Sequence, residues 1–230
     1  MASPLIEVTN LSFTYEDGTA ALHGVDFQLF PRETVVLLGA NGSGKTTFVL
    51  HLNGLHQSPR VRVNGHPATG ANLSEIRRRI AVVFQDSDEQ LFMPTVMEDV
   101  AFGPLNMGIP AEEAMRLARN ALAQTGMSAL AQKAPYHLSA GEKRRVAIAG
   151  VLAMSPDVLV FDEPTTFLDP PGQRHLVQLL RELPQAKILV THDIPFARAV
   201  ATRAVFFESG RIIAEGAVDD LVERFSWRPE

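Results

Sequence analysis

One stretch of eight residues constrains the fold of this chain more than any other feature of its sequence. Residues 39–46 read GANGSGKT and match the pattern G-x-x-x-x-G-K-[ST]. The segment before them, 34–38, is typical of a strand buried on both faces, and a helical stretch follows through Leu55. The pattern predicts a strand-loop-helix unit of an α/β fold. The alternative is a glycine-rich turn with a chance lysine, which the strand and helix on either side disfavour.

The residue types of this stretch, called the phosphate loop below, indicate its chemistry. Glycines allow positive φ, so that successive backbone N–H groups converge on phosphate oxygens, and the helix N-terminus adds positive potential. Lys45 is expected to reach the β- and γ-phosphates, and Thr46 is expected to hold Mg²⁺. The predicted nucleotide-binding residues of the loop are Gly39, Asn41, Gly42, Ser43, Gly44, Lys45 and Thr46.

A second candidate group lies at 158–163, where four apolar residues are followed by Asp162 and Glu163. Carboxylates at the carboxyl end of a buried strand lie where open α/β sheets bind their ligands. Asp162 suits the Mg²⁺ shell, and Glu163, which points elsewhere, is a candidate to orient or deprotonate an attacking water. Taken alone, the more ordinary interpretation is a strand that ends in solvated acids, but the phosphate loop favours the functional one.

Residues 138–142, LSAGE, fit two interpretations at once. Ser139 and Glu142 have the spacing of a capping box that opens a helix running to Met154. A capped helix N-terminus with Gly141 allowing close approach is also an anion site, so the same residues are candidates to contact a γ-phosphate. In isolation the pattern favours the plain cap.

The rest of the chain alternates between strand and helix patterns. Early strands are predicted at 6–8, 11–15 and 25–29. From Thr95 to Lys133 the periodicity is helical, and Pro104 and Pro110 are expected to break this stretch into pieces. The other predicted elements are a hairpin near Asn64-Gly65, a strand at 80–84, βα units at 158–183 and 188–202, a hairpin at 205–214 and a short helix at 219–225.

Composition excludes several classes of protein. The 230 residues include no cysteine, which excludes disulfides, thiolate metal sites and cysteine nucleophiles and fits a reducing compartment. The formal net charge of −5 disfavours nucleic acid as the main partner, and the seven histidines lack the spacing of a metal site. The longest apolar stretch, Val146 to Met154, is far shorter than the roughly 20 residues that cross a bilayer. The N-terminus lacks the pattern of a secretion signal.

Six motifs in this order resemble those of the ATP-binding-cassette (ABC) ATPase family over essentially the whole chain. They are the phosphate loop, the Q-loop glutamine Gln85, the signature at 138–142, the Walker B pair Asp162 and Glu163, the D-loop Asp169 and the switch histidine His192. The resemblance implies a P-loop NTPase cassette with a RecA-like core, an antiparallel β subdomain and an inserted α-helical subdomain. The expected boundaries within the single domain 1–230 are 1–94 and 156–230 for the core with the β subdomain, and 95–155 for the helices.

The resemblance also implies roles for single residues. The implied catalytic residues are Glu163, His192, Gln85 and Lys45, with His192 at the γ-phosphate. Thr46, Gln85 and Asp162 are the implied Mg²⁺ ligands, partly through water. Further contacts to ATP are implied for Tyr15, Thr47, Ser139, Gly141, Glu142 and Asp169. Tyr15 falls where the family stacks an aromatic ring on adenine, and the alternative for it is a half-buried strand tyrosine.

In this family two cassettes bind head to tail, and each ATP lies between the phosphate loop of one cassette and the signature of the other. The resemblance therefore implies a second ABC ATPase subunit as a partner, either an identical chain or a paralogue. Two residues depart from the family pattern. Ala140 stands where glycine is usual and bears on the contact geometry of the signature. Phe167 stands where small residues are frequent and bears on the dimer seam.

Four further segments are similar to those of the ATPases of energy-coupling-factor (ECF) importers, which take up vitamins or cobalt and nickel ions. They are 90–92, 94–96, 99–106 and 147–154. This resemblance implies two more partners, a transmembrane ECF scaffold subunit and a substrate-capture membrane subunit. It also implies a peripheral position on the cytoplasmic face of the bacterial inner membrane. The short chain suits biotin or cobalt/nickel systems, and biotin is favoured on overall resemblance only, because such an ATPase does not touch the substrate.

The rival class is a cassette ATPase of DNA repair, chromosome maintenance or translation. Repair and chromosome types place long coiled coils or zinc modules between phosphate loop and signature, whereas only 94 positions separate Lys45 from Ser139. Translation types carry two cassettes in one chain. A third interpretation, a degenerate cassette that serves only as a scaffold, is disfavoured because Lys45, Asp162, Glu163 and His192 are all present.

Overall fold

The structure, a computed structural model, describes residues 3–227, and two β-sheets organise this part of the chain. The strands are β1 (Ile6–Thr14), β2 (Ala20–Leu29), β3 (Thr34–Leu38), β4 (Ser58–Val63), β5 (His66–Ala68), β6 (Ile80–Val83), β7 (Val158–Asp162), β8 (Ala186–Val190), β9 (Arg203–Glu208) and β10 (Arg211–Gly216). The smaller sheet is antiparallel, with the order β2-β1-β4-β5. The larger sheet has the order β10-β9-β3-β8-β7-β6 and is parallel except for β10 at its edge.

The parallel strands are short and almost entirely buried, which explains their unbroken apolar sequences. All five residues of β3 and all five of β8 are buried, and the first four residues of β7 are buried as well. β3 lies between β8 and β9, and β7 lies on the other side of β8. The loops that leave the carboxyl ends of β3, β7 and β8 therefore meet at one edge of the sheet.

The helices connect these strands in the manner of an α/β protein. They are α1 (Lys45–Leu52), α2 (Leu73–Arg79), α3 (Val96–Asn106), α4 (Ala111–Gln124), α5 (Ala140–Ala153), α6 (Pro170–Glu182), α7 (Ile194–Val200) and α8 (Val218–Arg224). Three of them, α3, α4 and α5, follow one another between β6 and β7 in the chain and pack on one another. They are called the helical group below. They lie inside the segment 95–155, and the boundaries proposed for the subdomains stay predictions.

Pro104 does not break a helix, contrary to the sequence expectation, because α3 continues through it to Asn106. Its missing N–H leaves one carbonyl, that of Val100, without its helical donor. The turn around it closes through other bonds, since Met107 N donates to the Gly103 carbonyl and Ile109 N to the Pro104 carbonyl. Pro104 is also buried in the helical group, so its packing offsets the lost bond. Pro110, by contrast, lies immediately before α4.

Several predicted boundaries differ from the structure, as in β2, which begins at Ala20 and not at residue 25. The segments predicted at 6–8 and 11–15 belong to the single strand β1, which ends at Thr14 and in which Asn10 adopts a left-handed φ of 50° and the register with β2 shifts. Helix α1 ends at Leu52 rather than Leu55. It ends there because Gly54 takes a φ of 71°, and the carbonyls of the last turn accept hydrogen bonds from beyond the helix, that of His51 from Gly54 N and that of Leu50 from His56 N.

Two apolar clusters cover the faces of the larger sheet. One joins the sheet to α3, α4, α5 and the C-terminal helices, and the other joins it to α1 and the smaller sheet. Adjacent residues of β9 divide between them, Phe206 in the first cluster and Phe207 in the second, as the alternation along a strand requires. No helix within residues 3–227 combines the length and the apolar character that crossing a membrane requires.

Candidate functional site

The phosphate loop leaves β3 and turns into α1 through two glycines that no other residue could replace. Gly39 has a φ of 139°, and a Cβ there would lie 2.2 Å from the Phe207 carbonyl oxygen. Gly44 has a φ of 104°, and a Cβ there would lie 2.7 Å from the Ala21 carbonyl oxygen. Gly44 caps α1 without any side-chain hydrogen bond, so the first N–H groups of the helix keep their capacity to bind an anion.

Lys45 holds its ammonium group within the phosphate loop. Nζ donates to the carbonyl oxygens of Gly39 at 2.7 Å and Ala40 at 2.8 Å, and it lies 3.3 Å from Ser43 Oγ. Burial lowers the pKa of Lys45, whereas the negative charges of Glu163 and Asp162 act in the opposite direction. The lysine is thus a buried cation that faces two carboxylates across the site.

The two carboxylates stand at the end of β7, beside β8. Asp162 is the last residue of β7 and pairs with Val190, and Glu163 N donates to the Val190 carbonyl at 2.8 Å. Burial, then the neighbouring charge of Glu163, raises the pKa of Asp162, and Lys45 and Arg144 partly oppose this. Glu163 adopts a φ of 43°, which is uncommon for a residue with a side chain and turns it away from the direction of Asp162.

Glu163 meets the switch histidine that follows β8. Its Oε2 lies 2.9 Å from His192 Nδ1 and accepts a hydrogen bond from Thr191 Oγ1 at 3.3 Å. The glutamate side chain is 16% exposed and the histidine side chain 67% exposed, so the pair reaches from the buried sheet edge toward solvent. The structure therefore brings together two of the predicted catalytic residues, and Thr191 is a contact that the sequence did not predict.

Gln85 follows β6 in an exposed loop, and its backbone is held from α5. Arg144 is buried, and its guanidinium donates to the carbonyl oxygens of Phe84 and Gln85, each at 2.5 Å. Desolvation lowers the pKa of Arg144, while Asp86 and Asp162 raise it. None of the sequence motifs pointed to Arg144. The signal was its place on the buried stripe of α5, three, four and seven residues before Ala147, Ile148 and Val151.

Two further contacts brace the same loop. Gln90 accepts a hydrogen bond from Phe84 N and donates one to the Val82 carbonyl, both at 3.1 Å. Lys143 Nζ lies 2.6 Å from Asp88 Oδ1. Arg144 and Lys143 therefore join α5, the signature helix, to residues 84–90, which are called the glutamine loop below. A displacement of one segment must involve the other.

The signature segment 138–142 forms the capping box that its spacing predicts. Glu142 N donates to Ser139 Oγ, and Ser139 N donates to Glu142 Oε2 at 2.8 Å. Two hydrogen bonds to Glu142 Oε2, from Ser139 N and from Ser139 Oγ, lower the pKa of the Glu142 carboxyl. Ser139 is exposed and Glu142 is partly exposed, and within residues 3–227 no hydrogen bond or ion pair joins the signature to the phosphate loop. The structure therefore does not bring these two predicted parts of the site together.

The remaining predicted contacts lie around α1 and α6. Tyr15 is half-buried, its hydroxyl lies 2.8 Å from Thr47 Oγ1, and its ring packs edge-on against Phe13 at 4.9 Å. Thr46 is exposed in the first turn of α1. Asp169 caps α6, because its Oδ1 accepts a hydrogen bond from Gly172 N at 2.9 Å. The roles of these residues toward ATP stay predictions.

The sequence profile of the ABC transporter family matches residues 22–166 of the chain. The chain belongs to this family. It is 44% identical over 224 residues to the energy-coupling factor transporter ATP-binding protein EcfA of Carboxydothermus hydrogenoformans, a match that covers 95% of this chain and 83% of that protein. The prediction of an ABC ATPase, which hydrolyses ATP to drive transport, is confirmed.

Solved structures agree with the fold. CbiO1 from Clostridium perfringens, part of the ABC transporter complex cbiONQ, superposes with a TM-score of 0.87 at 37% identity, covering 96% of this chain and 92% of that one. A dimeric ATP-binding cassette in a post-hydrolysis state, bound to ADP and Pi, gives a TM-score of 0.81 at 28% identity, covering 93% and 98%. The predicted cassette fold, with an antiparallel β subdomain and a helical subdomain, is confirmed.

Proposed function

We propose that this chain is the ATP-hydrolysing subunit of an ECF-type importer of a micronutrient. The observation that carries the proposal is the pair of Glu163 and His192 beside the phosphate loop, in a chain 44% identical to an ECF transporter ATP-binding protein. A degenerate cassette used only as a scaffold has no need for a carboxylate held 2.9 Å from a histidine next to a buried lysine.

In the proposed reaction the triphosphate of ATP binds the N–H groups of the phosphate loop, and Lys45 pairs with the β- and γ-phosphates. Glu163 orients the attacking water and accepts its proton as the water oxygen bonds to the γ-phosphorus, the bond from that phosphorus to the β–γ bridging oxygen breaks, and ADP leaves. Because Nδ1 of His192 is engaged by Glu163, Nε2 is the ring nitrogen left to contact a γ-phosphate oxygen, and it donates a hydrogen bond there when both ring nitrogens carry a proton. Positioning and electrostatic stabilisation thus come from groups that the sheet edge already holds together.

The residues around Asp162 fit a bound magnesium ion. Thr46, Asp162 and Gln85 offer a hydroxyl, a carboxylate and an amide oxygen, which is the hard oxygen donor set that Mg²⁺ prefers together with phosphates and water. The raised pKa of Asp162, caused by burial and by Glu163, is the response of a carboxylate placed where a cation would neutralise it. When bound, the ion would offset the charge that develops on the phosphate oxygens.

We further propose that two cassettes act together, head to tail, with the signature of each completing the nucleotide site of the other. The exposed Ser139 supports this, because the capping box occupies Glu142 N but leaves the N–H groups of Ala140 and Gly141 without a helical acceptor. ATP would then stabilise the closed pair by touching both chains, and loss of the γ-phosphate would favour opening.

The transmembrane scaffold subunit is proposed to dock in a groove of about 710 Å³ between α2, the glutamine loop and the helical group. Gly103, Ala147 and Gly150 are among its lining residues, and the exposed rings of Phe92 and Phe102 pack at 4.9 Å on its rim. Asp99 also lines the groove. Its Oδ1 accepts hydrogen bonds from two backbone N–H groups, and its buried Oδ2 has no partner within residues 3–227. An amphipathic helix carrying a basic residue fits this groove.

Biotin is the substrate that we favour, with cobalt or nickel ions or another vitamin as the alternative, and a substrate-capture membrane subunit would bind it. The chain itself is proposed to lie at the cytoplasmic face of the bacterial inner membrane, where its partner subunits hold it. Within residues 3–227 no cluster of three or more histidine, aspartate or glutamate side chains could hold a metal ion. Recognition of the substrate is therefore assigned to the other subunits.

Two experiments test the proposed function. Purification of the tagged chain from its native membrane should recover a transmembrane scaffold and a substrate-capture protein, and recovery of ribosomes or DNA instead would refute it. Uptake of labelled biotin, cobalt and nickel should be compared in cells that carry the wild-type chain or Glu163→Gln. The transported substrate is the one whose uptake is lost with the variant, and normal uptake of all three contradicts the proposal for these substrates.

A further inference from the structure

Phe167 combines two properties that its own chain does not explain. Its side chain is among the most exposed large apolar groups, at 75%, and its backbone has a φ of 64°. A bulky residue rarely adopts a positive φ, which glycine would accept without strain. The backbone of the turn is nevertheless held in place, because Thr166 N donates to the Glu163 carbonyl and Leu168 N to the Thr165 carbonyl. The fold thus displays an aromatic ring on a constrained turn.

This turn lies beside the signature. A Cβ placed on Gly141 would lie 3.7 Å from Leu168 Cδ2, so the residue next to Phe167 lies close to the first turn of α5. Any surface that receives the signature must therefore also meet Phe167. In the proposed head-to-tail dimer, on which this inference rests, that surface is the region around the phosphate loop of the second cassette.

An aromatic pocket lies beside the phosphate loop of the same chain. Its volume is about 330 Å³, and it lies between residues 40–43 and a wall that contains Phe206, Phe225 and Trp227. Phe206 stacks on Phe225 at 4.1 Å and meets Trp227 edge-on at 5.4 Å. A cavity of about 150 Å³ is sufficient to bind benzene, so this pocket has room for a phenyl ring among rings with which it packs well.

We propose that Phe167 of one copy inserts into this aromatic pocket of a second copy of the same chain when ATP closes the dimer. A twofold pair requires that the surface be complementary to itself, with residue i on j and j on i. This chain carries both the projecting ring and the pocket, so an identical partner satisfies the requirement twice. The contact selects the partner and adds apolar area next to the two nucleotides.

Because the chain has no cysteine, crosslinking between copies tests the contact directly. Phe167→Cys and Ser209→Cys are placed on separate, differently tagged chains that both carry Glu163→Gln, since Ser209 lines the pocket and is exposed. We expect a disulfide between the two chains with Mg-ATP and not with ADP. Tyr136→Cys, whose side chain is as exposed as that of Phe167, replaces Phe167→Cys in the control and should give no crosslink.

The outcomes separate this inference from the function on which it rests. If the Glu163→Gln chains dimerise with ATP but the chain with Phe167→Cys does not crosslink to the chain with Ser209→Cys, the contact is wrong and the proposed dimer stands. If the chains remain monomers with bound ATP, the head-to-tail dimer itself is wrong, and the inference is overturned with it.

Substitutions of the two partners give a second, independent measurement. Phe167→Gly and Trp227→Ala should each weaken ATP-dependent dimerisation of the Glu163→Gln chain by at least about tenfold, and the double variant should be weakened by less than the product of the two effects, as expected for partners in contact. Phe167→Gly should melt at the same temperature as its parent or higher, because glycine accepts the positive φ. Tyr136→Ala should leave dimerisation unchanged. Normal dimerisation of Phe167→Gly would overturn the proposal.

Discussion

The predicted nucleotide site has two parts, the edge of the larger sheet around Lys45, Asp162 and Glu163, and the signature at 138–142. They differ in how completely one chain assembles them. At the sheet edge, Lys45, Asp162 and Glu163 are largely buried and interact with one another, and the pKa values of Lys45 and Asp162 are displaced. At the signature, Ser139 is exposed and Glu142 is partly exposed, and within residues 3–227 each of these side chains hydrogen-bonds only with the other residue. One region is assembled within the chain, and the other is a surface.

The difference indicates separate roles for the two parts, ATP binding and chemistry at the sheet edge and association of two cassettes at the signature. In the proposed reaction the sheet edge holds and polarises the triphosphate by itself, since its groups come from adjacent strand ends. The signature is proposed to contribute only in a pair of cassettes, and Arg144 and Lys143 join its helix, α5, to the loop around Gln85 that follows β6 of the same sheet. Substitutions in the first region should therefore alter ATP binding or chemistry, and those in the second should alter association.

The largest effect is expected from Glu163→Gln, which removes the base but keeps the shape of the side chain. ATP turnover should fall about 10³-fold, the middle of the range for loss of a general base, while the dissociation constant of ATP should change little. Steady-state hydrolysis and equilibrium nucleotide binding measure the two quantities. Turnover within a factor of about three of the wild type would contradict the role proposed for Glu163.

The next effect is expected from Lys45→Ala. Loss of a charge-assisted contact of about 1.5–3 kcal/mol should weaken ATP binding by roughly 10- to 100-fold, as measured by titration calorimetry. Lys143→Ala is the matched control, because this lysine pairs with Asp88 outside the phosphate loop and should leave the affinity for ATP near normal. Equal losses in both variants would mean that net charge, and not the loop, determines binding.

Arg144→Met tests the link between α5 and the loop around Gln85. The change leaves the carbonyls of Phe84 and Gln85 without their donor, so the free energy of unfolding should fall by about 2 kcal/mol. Arg145→Met, one residue on, removes only a long contact to the Gly141 carbonyl at 3.4 Å and should cost much less. Denaturant unfolding of the two variants measures this, and an equal loss of stability would refute the bracing role of Arg144.

The smallest effect on stability is expected from Ser139→Ala, which removes the cap of α5 at a cost of about 1 kcal/mol. Thr95→Ala removes the corresponding cap of α3, where Thr95 Oγ1 accepts a hydrogen bond from Glu98 N, and should cost about as much. Only Ser139→Ala should also weaken ATP-dependent dimerisation in the Glu163→Gln background. Sedimentation that shows equal dimerisation of both variants would mean that the signature is a cap and nothing more.

The sequence predicted the elements that depend on local patterns. A buried strand before GxxxxGKT and another before Asp162-Glu163 are periodic signals, and both strands are present in the parallel sheet. Pro104 was a wrong prediction because packing among α3, α4 and α5, which no local pattern encodes, outweighs one lost hydrogen bond. The braces from Arg144 and the aromatic pocket depend on segments far apart in the sequence, and only the folded chain brings these together.

The central claim is that one chain supplies half of each nucleotide site and that ATP joins two halves. Analytical ultracentrifugation of Glu163→Gln with Mg-ATP and with Mg-ADP tests this most directly. The claim predicts a dimer with ATP and a monomer with ADP. A chain that binds ATP at saturation and still sediments as a monomer would contradict it.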